Sequence, residues 1–286
     1  MLKKIRNTAY QYAIPSALLI AVAFYVVMRV VSFIFAQMPH SMLTSYLDEI
    51  AGMLYPIGFV FLFGFSTAFE SRKLLKGLLC GMPLIVVQLI VLISFFIDSA
   101  STPDVAWKPM SMILLGLFSV VGIGIREECI FRATIQNILA KKYANSVKGI
   151  WITAIVSAVV FGLIHMTNII AGVEVLSALV QSFTNIGIGL FFAALYLRSG
   201  NIWALVLIHT LTDTAGLASS VFTYQNEIAV MSALPLQSII GGVIFVGISV
   251  FLLRPSKCEE ILERFRREGV GQTKLAVSEG LESDEG

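Results

Sequence analysis

The sequence has little charge, few cysteines and few histidines. Only 13% of its 286 residues are charged, whereas a soluble domain usually carries about 25%. Three cysteines are too few for a disulfide scaffold, and a net charge of +2 provides no basic surface for nucleic acid. In contrast, 57% of the residues are hydrophobic and the mean hydropathy is +0.86. So few polar residues cannot cover a soluble globule of this size. The composition therefore predicts a helical membrane protein, and the continuous apolar runs exclude an alternating transmembrane barrel.

Eight apolar runs are close to the length that a helix needs to cross a bilayer. With approximate limits, they are 14–36, 51–68, 74–97, 109–140, 149–165, 175–197, 201–221 and 236–253. The predicted fold is therefore an all-α, multi-pass membrane protein with about eight transmembrane helices. The fourth run is longer than a bilayer requires and is charged near its far end, so we expect it to bend or to project beyond the membrane.

Lysine and arginine lie mostly on one side of these spans. Sixteen of the 20 basic residues fall at the N-terminus, in the loops after the second, fourth and sixth spans, and in the tail. The opposite loops carry Lys108 with six carboxylates, which are Asp48, Glu49, Asp98, Asp104, Glu174 and Glu227. Because basic loops stay in the cytoplasm, this distribution predicts that both termini are cytoplasmic.

The chain becomes polar after the last apolar run. We expect a solvated cytoplasmic tail over 256–286, with an acidic, disordered end at 278–286. The alternative for its first part is a short amphipathic turn on the membrane, formed by Ile261, Leu262 and Phe265.

Ionisable side chains inside apolar spans are costly, so each of them is a candidate functional residue. Arg29 lies in the first span, and two of the three histidines, His165 and His209, lie in the fifth and seventh spans. The fourth span holds the largest set, which consists of Arg126, Glu127, Glu128 and Arg132.

The two adjacent glutamates of the fourth span cannot share one role, because neighbouring helical residues point about 100° apart. Glu128 and Arg132 are four residues apart in the favourable acid-before-base order and can neutralise each other. Glu127 is then directed toward a different helix. A poorly solvated carboxylate suits a general base that activates water. The alternative is a charged helix end that only stabilises the bundle.

The two histidines also have a structural and a functional interpretation. Taken alone, His165 would bond a backbone carbonyl, with Phe161 packed beneath its ring one turn earlier. Asp213 is four residues after His209 and can orient its imidazole, although an isolated intrahelical hydrogen bond would look the same in sequence. Together, a carboxylate, two imidazoles and a supporting acid on three spans predict a hydrolytic site.

Three motifs in these spans match a known family. EECIFR at 127–132 fits EExxxR, FGLIH at 161–165 fits FxxxH, and HTLTD at 209–213 is close to HxxxN. In this order they resemble the CPBP family of intramembrane proteases, which includes the type II CAAX prenyl endopeptidases and bacterial Abi relatives linked to bacteriocin self-immunity. The resemblance covers about 109–221. We therefore divide the chain into three N-terminal transmembrane helices (1–108), a catalytic core (109–221), a last helix (222–255) and the tail.

The resemblance implies a role for each motif residue. Glu127 would activate water with help from His165, while Glu128, Arg132 and Phe161 would support the site. His209 and Asp213 would stabilise the oxyanion. Asp213 replaces the usual Asn, and an ionised Asp cannot donate to an oxyanion but would favour a protonated His209.

The resemblance is compatible with a metal-free or a zinc-dependent mechanism. Glu127, His165 and His209 would form an adequate zinc set. However, the sequence has no HExxH pair, so we favour a mechanism without a cofactor.

The implied partners are the lipid bilayer and a membrane-associated peptide or prenylated protein that is cut on the cytoplasmic side. For a bacterial protein of the plasma membrane, the expected role is peptide maturation or bacteriocin immunity. The alternatives are a non-enzymatic immunity or regulatory protein on the same fold, or a secondary transporter. The internal repeats of many transporters are not found here.

Overall fold

The computed structural model describes residues 1–71, 73–232 and 237–267, and this part of the chain is helical. Its α-helices are α1 (Leu2–Gln11), α2 (Ala13–Ala36), α3 (Met42–Phe63), α4 (Leu74–Ser101), α5 (Met110–Glu128), α6 (Asn137–Tyr143), α7 (Val147–Ile164), α8 (Val175–Ser199), α9 (Ile202–Gly216), α10 (Ala218–Phe222), α11 (Glu227–Ser232), α12 (Gln237–Leu252) and α13 (Pro255–Arg267). Short 3₁₀ helices occupy Ser66–Phe69 and His165–Ile169, and a π-helix occupies Cys129–Gln136.

Five helices in the described residues are long and apolar enough to cross a membrane. They are α2, α3, α4, α8 and the continuous helix Val147–Ile169. Helices α12 and α13 would add a sixth span if they are counted together, although the chain bends by 65° between them. Each of the eight predicted runs overlaps a helix, but the helices of the other runs are not among these candidate spans. These helices are those expected of an integral membrane protein.

Helix α3 begins nine residues before the predicted second span. Ser41 and Thr44 form a reciprocal capping box that starts the helix at Met42. Gly64 ends it in the left-handed conformation, with φ of 78°, which glycine adopts without strain. The predicted limits 51–68 are therefore wrong, because these caps, rather than the apolar run, determine where the helix begins and ends.

The long fourth run is one continuous helical segment in three parts, a π-helix between two α-helices. Helix α5 passes into the π-helix directly after Glu128, and α6 follows. Thr134 Oγ1 donates to the Cys129 carbonyl at 2.9 Å, and Ser157 Oγ on α7 donates to the Phe131 carbonyl at 3.2 Å. Side-chain donors thus satisfy carbonyls of the widened helix. Single π-helical turns occur frequently at functional sites, and this one follows the charged pair.

The first part of the tail is a packed helix, not the solvated segment that we expected. Helix α13 buries one side against α7 and α8. The residues on that side are spaced three or four apart, as in an amphipathic helix; they are Cys258, Ile261, Leu262 and Phe265. The predicted disordered end at 278–286 lies outside the described residues.

Helices α7 and α8 approach closely at Gly162. Ser182 Oγ donates to the Gly162 carbonyl at 2.7 Å. A Cβ at this glycine would lie 2.3 Å from Ile186 Cγ1 and 2.8 Å from the Ser182 carbonyl oxygen. The contact therefore leaves no room for a methyl group.

We expect Gly162→Ala to lower the thermal unfolding temperature in detergent, since overpacking a tight contact costs about 1–3 kcal/mol. Gly58→Ala in α3 is the matched control. Its Cβ would meet nothing within 4 Å, and alanine is the better helix former. An unfolding temperature for Gly162→Ala equal to that of the Gly58→Ala protein would contradict the prediction.

Candidate functional site

The candidate site is centred on the imidazole of His209, which is buried on α9. Its Nδ1 lies 2.8 Å from Glu128 Oε1. Because a carboxylate accepts, this nitrogen is the donor. The second oxygen, Glu128 Oε2, lies 3.4 Å from Arg132 Nε. The Glu128 and Arg132 side chains both have 0% exposure, so a fully buried ion pair supports the imidazole from one side.

The other ring nitrogen of His209 faces two more carboxylates. His209 Nε2 lies 3.6 Å from Glu127 Oε2 and 3.6 Å from Asp213 Oδ2. Both distances exceed a direct hydrogen bond, and neither carboxylate oxygen has a hydrogen-bond partner in the described structure. The Glu127 and Asp213 side chains are 18% and 21% exposed, unlike that of Glu128. Although these side chains are partly exposed, the two carboxylate oxygens that face Nε2 are themselves buried.

Two phenylalanines hold the ring plane of His209. Phe192 of α8 stacks on the imidazole with centroids 5.3 Å apart, and Phe161 of α7 meets it edge-on at 6.1 Å. The Arg132 guanidinium lies 4.6 Å from the centroid of the Phe161 ring and 5.7 Å from that of Phe192. The same aromatic pair thus orients the imidazole and contacts the buried cation. Phe161 was predicted from its motif, whereas Phe192 belongs to no motif and was missed.

Among the predicted residues, His165 contacts Phe161. Its Nδ1 bonds the Phe161 carbonyl at 3.0 Å, and its ring packs edge-on against that of Phe161 at 5.0 Å. Since a carbonyl only accepts, Nδ1 carries the proton and Nε2 presents a lone pair. In the described structure His165 makes no hydrogen bond or ion pair to Glu127 or His209. This is the structural role that the sequence suggested for a lone histidine.

The adjacent glutamates have the different directions that helix geometry predicts. Glu128 reaches Nδ1 of His209 and is fully buried, whereas Glu127 faces Nε2 of the same ring and is 18% exposed. The expected pair of Glu128 and Arg132 is present, but it is not self-contained, because Glu128 also holds His209. This bond joins residues that are 81 positions apart.

A further ion pair lies beside Glu127. Arg126 on α5 donates to Glu49 Oε2 on α3 at 2.8 Å, and both side chains are largely buried. Glu49 was placed in an external loop because the second span was expected to begin after it. Its position inside α3 makes it a link between the N-terminal helices and the site.

The residues proposed as zinc ligands are not assembled as a metal site. Among the described residues, no group of three or more His, Cys, Asp and Glu side chains could hold a metal ion. The Nδ1 bond of His165 leaves its Nε2 lone pair available, but Glu127, His165 and His209 do not come together as a ligand set in the described structure. These residues do not fit a zinc centre as they stand.

Comparison with known proteins identifies one family. Residues 109–215 match the family model described as type II CAAX prenyl endopeptidase Rce1-like. No curated protein and no solved structure matches the chain. The matched segment runs from the start of α5 to the end of α9, and it contains the three motifs and the carboxylates around His209. This segment, a little over a third of the chain, is therefore similar to the CAAX-type proteases.

Proposed function

We propose that the protein is an intramembrane endopeptidase of the CAAX-protease type. The observation that carries this proposal is the arrangement around His209. A buried carboxylate binds one ring nitrogen, and two more accessible carboxylates face the other. This arrangement lies within the segment that matches the family. It offers a base and an oxyanion donor at one place, which is what peptide hydrolysis requires.

Glu127 is the proposed general base. Its Oε2 is buried and has no hydrogen-bond partner, so it can accept a proton from a water that enters the site. The resulting hydroxide attacks the scissile carbonyl carbon and forms a tetrahedral intermediate. When the C–N bond breaks, Glu127 returns the proton to the leaving amine, so that one water is consumed and a carboxyl group and an amine are released.

His209 is the proposed oxyanion donor. Glu128 already accepts the Nδ1 proton, so His209 can donate through Nε2 only as an imidazolium. Three surrounding carboxylates offset the charge of that form. The Nε2 proton would then point to the place where the oxyanion develops, next to Glu127.

His165 has a supporting role in this proposal. Its Nδ1 proton is committed to the Phe161 carbonyl, so its Nε2 can accept a hydrogen bond from the attacking water but cannot donate one. Phe161 packs against both imidazoles and fixes their relative orientation.

The expected effect of Asp213→Asn is modest, within about tenfold in cleavage rate, because the amide can itself donate to an oxyanion. Asp213→Leu removes the charge that favours the imidazolium form of His209 and supplies no donor in its place. We expect a loss of about 10²–10³-fold, the effect of losing one oxyanion donor. Initial rates of peptide cleavage at equal protein concentration would measure both effects. Wild-type activity in the Asp213→Leu protein would remove this residue from the mechanism.

We also propose a topology of eight spans with both termini in the cytoplasm. The overlap of a helix with each of the eight runs, and the basic loops on one side, support it. The division at 1–108, 109–221, 222–255 and 256–286 belongs to the same proposal. The substrate would be a membrane-associated peptide or a prenylated protein that is cut at the cytoplasmic side. In a bacterial plasma membrane the role would be peptide maturation or bacteriocin immunity.

The test uses the purified full-length protein in detergent. The protein is incubated with either a farnesylated CAAX-type peptide or an unprenylated membrane-inserting peptide. The products are identified by mass spectrometry. We expect cleavage of at least one peptide by the wild type and strongly reduced cleavage by His209→Ala. Cleavage of neither peptide by the wild type would contradict the proposal and favour the non-enzymatic alternative. Chelation on the same preparation decides between the metal-free and zinc-dependent mechanisms.

A further inference from the structure

Two neighbouring cavities lie at the helix ends, away from the site around His209. Their volumes are about 560 and 330 Å³, which is the size range of small-molecule sites. Lys73 and Arg264 line both cavities, so the two spaces adjoin. None of the residues proposed for peptide hydrolysis lines either of them.

The lining of these cavities is mainly cationic. Two carboxylates, Glu70 and Glu260, take part in it. The other charged residues of the lining are six cations, which are Lys73, Lys76, Lys141, Arg198, Arg264 and Arg267. Partly open cavities with such an excess of positive charge attract anions.

Ion pairs within α13 and α8 offset part of this charge. Glu260 accepts hydrogen bonds from Lys257 and from Arg198, the latter at 2.9 Å. These bonds lower the pKa of Glu260 to about 2, so its carboxylate is ionised at neutral pH. Arg267 bonds Glu263 at 2.6 Å. In the part of the chain that the structure describes, Lys73 and Lys76 form no ion pair, so their charges are available to a ligand.

The start of α4 adds to the positive potential. Lys73 is the N-cap residue of this 28-residue helix, and its side chain does not cap the helix. The first N–H groups of a helix carry a partial positive charge and bind anions. Here that charge lies between the Lys73 and Lys76 side chains.

The cavities also lie at the ends of helices that are candidate membrane spans. Helices α4 and α8 are both candidate membrane spans. The cavities are lined where α4 begins, at Lys73, and where α8 ends, at Ser199 and Gly200. The ends of membrane spans lie at the bilayer surface, and basic pockets between helix ends at that surface suit phosphate headgroups.

We propose that these two cavities form a binding site for a phosphate-bearing anion, with Lys73 and Lys76 as its principal cationic contacts. The phosphate comes either from the headgroup of an anionic phospholipid or from a free phosphate ion. This site is separate from the one proposed for peptide hydrolysis.

The experiment compares the purified full-length protein with two variants. Thermal unfolding is followed in nanodiscs of phosphatidylcholine with increasing phosphatidylglycerol, and separately in detergent with inorganic phosphate against chloride at constant ionic strength. Lys73→Gln/Lys76→Gln removes two charges from the site. Lys3→Gln/Lys4→Gln removes two charges from the exposed start of α1 and is the matched control.

We expect phosphatidylglycerol or phosphate to raise the unfolding temperature of the wild type and of the control. The Lys73→Gln/Lys76→Gln protein should need about tenfold more anion for the same shift. A response to phosphatidylglycerol alone identifies the lipid headgroup as ligand, whereas a response to inorganic phosphate identifies the free ion. If neither anion stabilises the wild type, or if both variants weaken the response equally, the proposal is overturned.

Discussion

Glu127→Gln is expected to lower the rate of peptide cleavage by about 10²–10⁴-fold, the usual contribution of a general base. Glutamine has nearly the same size as glutamate but cannot accept a proton from water. The substitution should not disturb the fold, because Glu127 Oε2 has no hydrogen-bond partner and the side chain is partly exposed. Initial rates and the unfolding temperature in detergent measure the two effects separately.

The control for this experiment is Glu227→Gln, which makes the same chemical change at an exposed residue of α11. It should retain the wild-type rate. If Glu127→Gln cleaved as fast as this control, Glu127 would not be the base. A low rate combined with a large drop in unfolding temperature would instead assign it a structural role.

Relations within one helix could be predicted from the sequence. The divergent directions of Glu127 and Glu128, and the pairing of Glu128 with Arg132, follow from 3.6 residues per turn. Both are present in the structure. The carbonyl bond of His165 also follows from its place four residues after Phe161. These relations depend only on the helical repeat and not on how the helices pack.

Relations between helices were harder to predict. The bond from His209 to Glu128 and the stacking of Phe192 on His209 depend on how α5, α8 and α9 pack. A phenylalanine in an apolar helix carries no signal that separates it from ordinary core residues. The family resemblance brought His209 and Glu128 into one site, but it did not indicate their direct contact.

Helix ends were the other source of error. Hydropathy located the second span but not its start, because Ser41 and Thr44 cap α3 outside the apolar run. Because the start of α3 was predicted too late in the chain, Glu49 was assigned to a loop and its ion pair with Arg126 was not predicted. Helix α13 was predicted only as the alternative of a short amphipathic turn, for a related reason. Its four buried residues are separated by charged ones, so its mean hydropathy is that of a solvated tail although one side is apolar.

The buried pair of Glu128 and Arg132 offers the second large effect. Arg132→Met should destabilise the protein by about 3–5 kcal/mol, since it leaves the Glu128 carboxylate buried without its cation. The double variant Glu128→Gln/Arg132→Met removes both charges together. It should recover most of the lost unfolding temperature, because the glutamine oxygen can still accept the Nδ1 proton of His209.

Stability and activity should separate in this double variant. Without the Glu128 charge, His209 is favoured as the neutral ring with its proton on Nδ1, and Nε2 then has no proton to donate to an oxyanion. We expect a rate about 10²–10³-fold below wild type despite the recovered stability. Unfolding temperatures and cleavage rates of the wild type, both single variants and the double variant complete the comparison. Full activity in the double variant would show that Glu128 only neutralises Arg132. If the double variant were no more stable than Arg132→Met, burial of the lone Glu128 carboxylate would not be the cause of the instability of Arg132→Met.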